Sequence, residues 1–261
     1  MNPTYTPPTP LLTPPVYTGS PQPILEGGSS GDGNIQYSMD GSNWSSTIPT
    51  VTNAGTYTVY WRLQGDGMHS DVPPTAVTVT MLPKEVEDPD ITLSISEYTY
   101  DGNACTPTVT LKDGDTTIDS SEYIVTYSDN TNAGTATITI TNVANGNYVI
   151  NASTTFTIDK AAGSVTTAPV NRASAYNGSA QPVADAGVGT GTMMYRLGDS
   201  GDFSSSMPTV TNAGTYALYY YSAESANYLQ SSTASIEVSI AKIAPVYTAP
   251  TAKTLTYTGS A

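Results

Sequence analysis

One seven-residue stretch constrains this chain more than any other. Asn53-Ala54-Gly55-Thr56-Tyr57-Thr58-Val59 returns as Asn132-Ala133-Gly134-Thr135-Ala136-Thr137-Ile138, and again as Asn212-Ala213-Gly214-Thr215-Tyr216-Ala217-Leu218. Each copy reads as a turn that runs straight into a strand. Asn and Gly tolerate the positive φ of a tight turn, and the residues behind them alternate with a period of two. Gly55, Gly134 and Gly214 are therefore all expected at positive φ. A unit that recurs in this way specifies a repeat array.

Flanking signals keep the register. An opening Tyr precedes the turn Asn by 36 residues in the first and third copies (Tyr17, Tyr176) and by 32 in the second (Tyr100). A closing Lys follows the same Asn by 31, 28 and 30 residues, at Lys84, Lys160 and Lys242. The expected organisation is a Pro/Thr-rich lead over 1–15 and repeats over 16–84, 91–160 and 176–242. An acidic linker occupies 85–90 and a second linker 161–175, while 243–261 hold a linker and the start of a truncated fourth repeat at Tyr257. Strands are expected over 23–25, 35–39, 56–63 and 76–82 in the first repeat. The second offers 108–111, 123–127, 135–143 and 154–158, and the third 193–197, 215–221 and 235–240. No segment sustains a 3.6-residue apolar period, so the fold class is all-β.

The spacing Asn-x-Gly-x-Tyr-x-Val is that of the tyrosine corner of immunoglobulin-type sandwiches, where a Tyr hydroxyl bonds back to upstream backbone. Val59 and Leu218 stand at the position of the second core cysteine, and Ala136 replaces the Tyr in the middle copy. The run Ile48-Pro49-Thr50-Val51-Thr52-Asn53-Ala54-Gly55-Thr56-Tyr57, the openings Tyr17-Thr18-Gly19-Ser20 and Tyr176-Asn177-Gly178-Ser179, and the closing Ile-x-Lys resemble MBG-type bacterial Ig-like repeats. The second copy, with Tyr100-Asp101-Gly102 and Tyr127-Ser128-Asp129-Asn130, resembles a sister subtype. The resemblance implies three tandem small Ig-like β-sandwich repeats in an elongated array, of the kind found in large surface or secreted proteins of anaerobic bacteria. It implies no catalytic residues.

Charge narrows the partners. A formal net charge of −14 leaves no basic patch for nucleic acid or for an anionic membrane surface. With Cys105 as the single cysteine, no disulfide can form within the chain. No run of 18 apolar residues is present, so no transmembrane helix is expected. The chain reads as an internal piece of a longer array, with any export signal or anchor outside it, and as a monomer.

Few residues suggest chemistry. His69 is the only histidine, in a loop among Asp66, Ser70 and Asp71, and reads as a surface residue. Hard oxygens clustered in one place can bind calcium; Glu85, Glu87, Asp88 and Asp90 form one candidate set, and Asp113, Asp115 and Asp119 another. Lys84, Lys160 and Lys242 could in principle form isopeptide bonds with the turn asparagines, but an exposed Lys at a strand end is the simpler reading. Strand alternation points Tyr60, Tyr219 and Tyr221 outward, with Trp44 beside the first, and such aromatics could stack on a glycan or a protein. No cofactor is expected, and no enzyme. Three functions remain open: a spacer or stalk of an extracellular adhesin-like surface protein, a binding module working through the outward tyrosines, or Ig-like display domains of a phage virion protein.

Overall fold

The computed structural model describes residues 1–259 of the chain. They form an all-β structure of Ig-like sandwiches; the one helical turn is 3₁₀, over Ser120–Glu122. Two compact units are present: Met1–Tyr98 with Gly102–Ile158, and Thr99–Asp101 with Asp159–Ala261.

The recurrent turn launches the central strand of a sheet each time. Gly55–Gly65 lies between Gly33–Ser38 and Val72–Met81. Gly134–Asn142 lies between Tyr123–Ser128 and Asn151–Asp159, and Gly214–Ser222 between Met193–Leu197 and Ala234–Ala241. Alternation puts Val59, Trp61 and Leu63, then Ala136, Ile138 and Ile140, then Leu218 and Tyr220 on the buried faces, none more than 6% exposed. Opposite them stand short ladders. Gln22–Pro23 pairs with Thr50–Val51 and Gln181–Pro182 with Thr209–Val210. Ile24, Leu25 and Val51 close the core around Trp61; Val183 and Ala184 do so around Tyr220.

The corner forms as the spacing requires. The Tyr57 hydroxyl donates to the carbonyl of Asn53 at 2.7 Å, and that of Tyr216 to Asn212 at 2.8 Å. Where Ala136 replaces the Tyr, bulk has moved across the strand pair. Tyr57 faces Val79 and Tyr216 faces Val238, but Ala136 faces Phe156. Phe156 is buried and meets the Tyr98 ring edge-on at 5.5 Å.

Several expectations need correction. Gly55 and Gly134 have φ of +151° and +142°, but Gly214 is not at positive φ. The expected strand over 23–25 is broken at buried Ile24, because Gln22–Pro23 and Leu25–Glu26 pair with different partners. The last strand of the first sheet begins at Val72 rather than 76. It carries Pro73 and Pro74 on the sheet's edge, where a missing N–H is tolerated, and its register shifts there. The stretches expected as lead and linkers also carry strands. Tyr5–Thr6 pairs with Ser29–Ser30 and Thr9–Pro10 with Leu25–Glu26. Lys84–Glu85 is a strand and Val86 is buried. Asp90–Leu93 pairs with Val109–Asp113, and Val165–Thr167, Val170–Asn171 and Ser174–Ala175 all pair within the third sandwich. Proline and threonine suggest a tether, yet both are at home on an edge strand. Residues 243–259 form no strand and are exposed; Ser260 and Ala261, part of the expected fourth opening, lie outside the described residues.

Candidate functional site

The outward aromatics are where alternation puts them, but their faces are partly covered. The Tyr60 ring lies against the turn glycine Gly41, and Trp44 carries the Arg62 guanidinium 4.4 Å from its ring centre. Arg196 sits over both Phe203 and Tyr219, at 4.6 and 5.2 Å, and Tyr221 meets Phe203 edge-on at 4.8 Å. The Tyr219 hydroxyl donates to Asp199, and that bond, with the carboxylate's charge, raises the Tyr219 pKa. All four candidates are half-buried. Each row is an aromatic–arginine stack on a sheet face rather than a set of bare rings.

The turn beneath the first row is held by Asp40. Its carboxylate accepts from the backbone N–H groups of Ser42 and Asn43, both at 2.8 Å, and from the side chains of Ser38 and Asn43. These bonds, the Asn43 N–H foremost, hold its carboxyl far below the usual carboxylate range. Because the folded pKa is the lower one, the stabilisation is complete above an unfolded pKa of about 3.9 and is lost as pH falls towards the folded value. Asp40→Asn is expected to lower the melting temperature at neutral pH, and its gap to the parent should narrow as pH falls below about 3.9. Thermal melts from pH 7 to 2 in which the two curves stay parallel would refute this.

The acidic clusters do not assemble. Among the described residues no three acids, histidines or cysteines converge on a point where a metal could sit. Glu85 lies in a strand ladder, Asp113 pairs with Lys84, and Asp119 caps the 3₁₀ turn through the Ser121 N–H. Glu85, Glu87, Asp88 and Asp90 therefore do not form a shared metal site among the described residues. His69 is only 14% exposed at its side chain, with Nδ1 3.0 Å from Asp66 and Nε2 3.9 Å from Asp32. It is a fastened loop residue and not the free surface group expected. Lys84 and Lys160 each pair with a carboxylate, Asp113 and Glu224, and not with a turn asparagine.

Sequence reading missed the site where chemistry does converge, a seam built from the ends of the repeats. In the first unit Lys84–Glu85 runs parallel to Tyr148–Val149. The Lys84 N–H donates to the Asn147 carbonyl at 2.9 Å, and the Val86 N–H to Val149 at 3.1 Å. The turn contributes too, since the Ala54 N–H donates to Asn147 Oδ1 at 2.8 Å. Glu122 holds Asn147 in place, accepting from its backbone N–H and its side-chain amide at 2.8 and 2.7 Å. Opening Tyr17 meets Tyr148 edge-on, ring centres 5.3 Å apart. Burial and the nearby Tyr17 raise the Tyr148 pKa.

The second unit repeats the arrangement. Tyr100 meets Tyr228 edge-on, also at 5.3 Å, and Ala161 bridges Tyr228 in parallel. The Ala161 N–H donates to Asn227 at 3.0 Å, and the Leu229 N–H returns to Ala161 at 2.8 Å. Lys160 pairs with Glu224 and donates to the Ser225 carbonyl. Pro83 stands in the first unit where Lys160 stands here, so the closing lysines reach their acids from positions one residue apart. A usable signal was in the sequence: an Asn-Tyr pair ends 48 residues after Tyr100 and 52 after Tyr176. Neither residue type suggests a joint by itself, which is why the pair passed unnoticed.

No helix among the described residues is long and apolar enough to cross a membrane. No family model matches the chain, and comparison with curated proteins finds no match. Among solved structures the chain is similar to "Sidekick-1 immunoglobulin domains 1-5", at 14% identity and a TM-score of 0.37; 93% of this chain is covered, and it spans 59% of that one. It is also similar to human CDH23 EC21-23, at 12% identity and a TM-score of 0.28 over 91% of this chain and 99% of that one. Mouse cadherin-23 EC22-24 follows at 13% identity and 0.26, over 91% and 100%.

Proposed function

We propose that this chain is a non-catalytic spacer segment of an extracellular, surface-attached or secreted protein, built from repeats of the bacterial Ig-like kind that its motifs resemble. The seam carries this reading. In the first unit two successive sandwiches are joined by backbone pairing, a buried tyrosine and an ion pair, where a flexible tether would need none of these. The ion pair is partly exposed and contributes at most about 1 kcal/mol, so backbone and ring contacts give the joint its definition. A chain whose job is to hold distance needs joints of this kind.

Small-angle scattering tests the reading. A spacer should give a radius of gyration well above the roughly 18 Å that a compact chain of this length would have. A value near the compact one would end the proposal.

A further inference from the structure

One socket of the seam type is open. The third sandwich ends in the parts that seat Tyr148 in the first: opening Tyr176, the turn residues Asn212 and Ala213, and the segment from Lys242 onward. Together with Ile243 they line an open groove of about 600 Å³. The geometry is already set, because the Tyr176 N–H donates to Ala241 at 2.9 Å as Tyr17 does to Leu82 and Tyr100 to Asp159. What differs is cover. Tyr176 is 38% exposed and Ile243 54%, whereas Tyr17 and Tyr100 are half-buried under their partners. Lys84 and Lys160 each have a carboxylate, and among the described residues Lys242 has none.

We propose that this socket receives the Asn-Tyr loop of a further repeat of the same type, following in the same chain. The filled sockets specify the fit. The incoming ring would stand edge-on to Tyr176, and the Asn before it would take the Ile243 N–H on its carbonyl, as Asn227 takes that of Ala161. Its side-chain oxygen would take the Ala213 N–H, as Asn147 takes that of Ala54. An acid nearby would meet Lys242, and in a chain of net charge −14 an uncompensated lysine is a selective place for one. The opening signature recurs at Tyr257-Thr258-Gly259, so a repeat in that register brings its own loop about 50 residues further on, the spacing of the two loops already seen.

A second copy of this chain has no such loop to offer. Those at Tyr148 and Tyr228 are engaged in their own seams. In the first repeat the corresponding position, 52 residues after Tyr17, is His69. Met1 is seated there, its amino group donating to the Met68 carbonyl at 3.0 Å and its carbonyl accepting from the Ser70 N–H at 2.9 Å. The proposal stands whether the array serves as a spacer or as a binding module.

The test is amide hydrogen exchange in a longer chain, with the sequence of residues 176–242 repeated in register from Tyr257. In the present chain the Ile243 and Ala213 amides should exchange freely. In the longer chain they should slow by at least about tenfold, as locally closed amides do. Tyr176→Ser, or serine in place of the added copy's counterpart of Tyr228, should restore free exchange while both copies keep dispersed amide spectra. An added copy that folds and leaves the two amides unprotected overturns the proposal. So does one that stays unfolded, since the socket should favour its folded form. Protection that appears in the present chain and grows with its concentration would assign the socket to a second copy, and overturns it equally.

Discussion

Phe156→Ala is expected to destabilise its sandwich by about 3–5 kcal/mol, the usual cost of emptying a buried phenylalanine site. Phe156 is 2% exposed and faces Ala136, which is fully buried, so nothing on the opposite strand can move in. Ala136→Tyr alone should cost about 1–3 kcal/mol, because it forces a ring into space that Phe156 already fills. The double change Ala136→Tyr with Phe156→Val should be much better than the sum. It recreates the pairs Tyr57–Val79 and Tyr216–Val238, and it places a tyrosine four residues after Asn132, as Tyr57 follows Asn53. Some loss should remain, since the edge-on contact of Phe156 with Tyr98 disappears. Denaturant unfolding of Ala136→Tyr, of Phe156→Val and of the double variant forms a cycle that reads this coupling directly. Additive losses would show that the two corners are not equivalent solutions to one packing problem.

The second large effect lies at the turn glycines, and it should not be uniform. Gly55→Val and Gly134→Val are each expected to cost roughly 1–3 kcal/mol, because a branched side chain is held at a φ that L-residues rarely adopt. Gly214 does not sit at positive φ, so Gly214→Val should cost clearly less. Its added Cβ would approach the Tyr216 hydroxyl at 3.3 Å, a crowding that a small shift of the ring relieves. Calorimetry on the three variants decides it; equal losses at all three would mean that corner crowding, and not backbone strain, governs the site.

Much of the architecture was legible in one dimension because it depends on local chemistry. The Asn-Ala-Gly-Thr turn, the strand behind it and the inward set of Val59, Trp61 and Leu63 follow from turn residues and a two-residue period. The tyrosine corner was legible too, being a contact of only four residues' reach. Tyr60 and Tyr219 pointed outward as alternation required. Alternation says nothing about what covers an outward ring, so Arg62 over Trp44 and Arg196 over Tyr219 had to be seen in space. The acids of 85–90 looked like a cluster because they are close along the chain. Closeness along the chain is not convergence in space, and among the described residues these acids do not gather where a metal could sit.

The recurrent turn, the strand alternation behind it and the all-β class were thus determined by the sequence alone, through periods and turns that act over a few residues. Tertiary structure decided where each repeat begins and what joins it to its neighbour. The Pro/Thr stretches have no strong preference of their own, and they became strands only because an edge such as Ser29–Ser30 or Val188–Gly189 was there to pair with. The seam goes further, bringing Tyr17 to Tyr148 across 131 residues of chain. Contacts that distant leave no periodic trace, because each partner's identity is chosen by a surface that exists only after both sandwiches have folded.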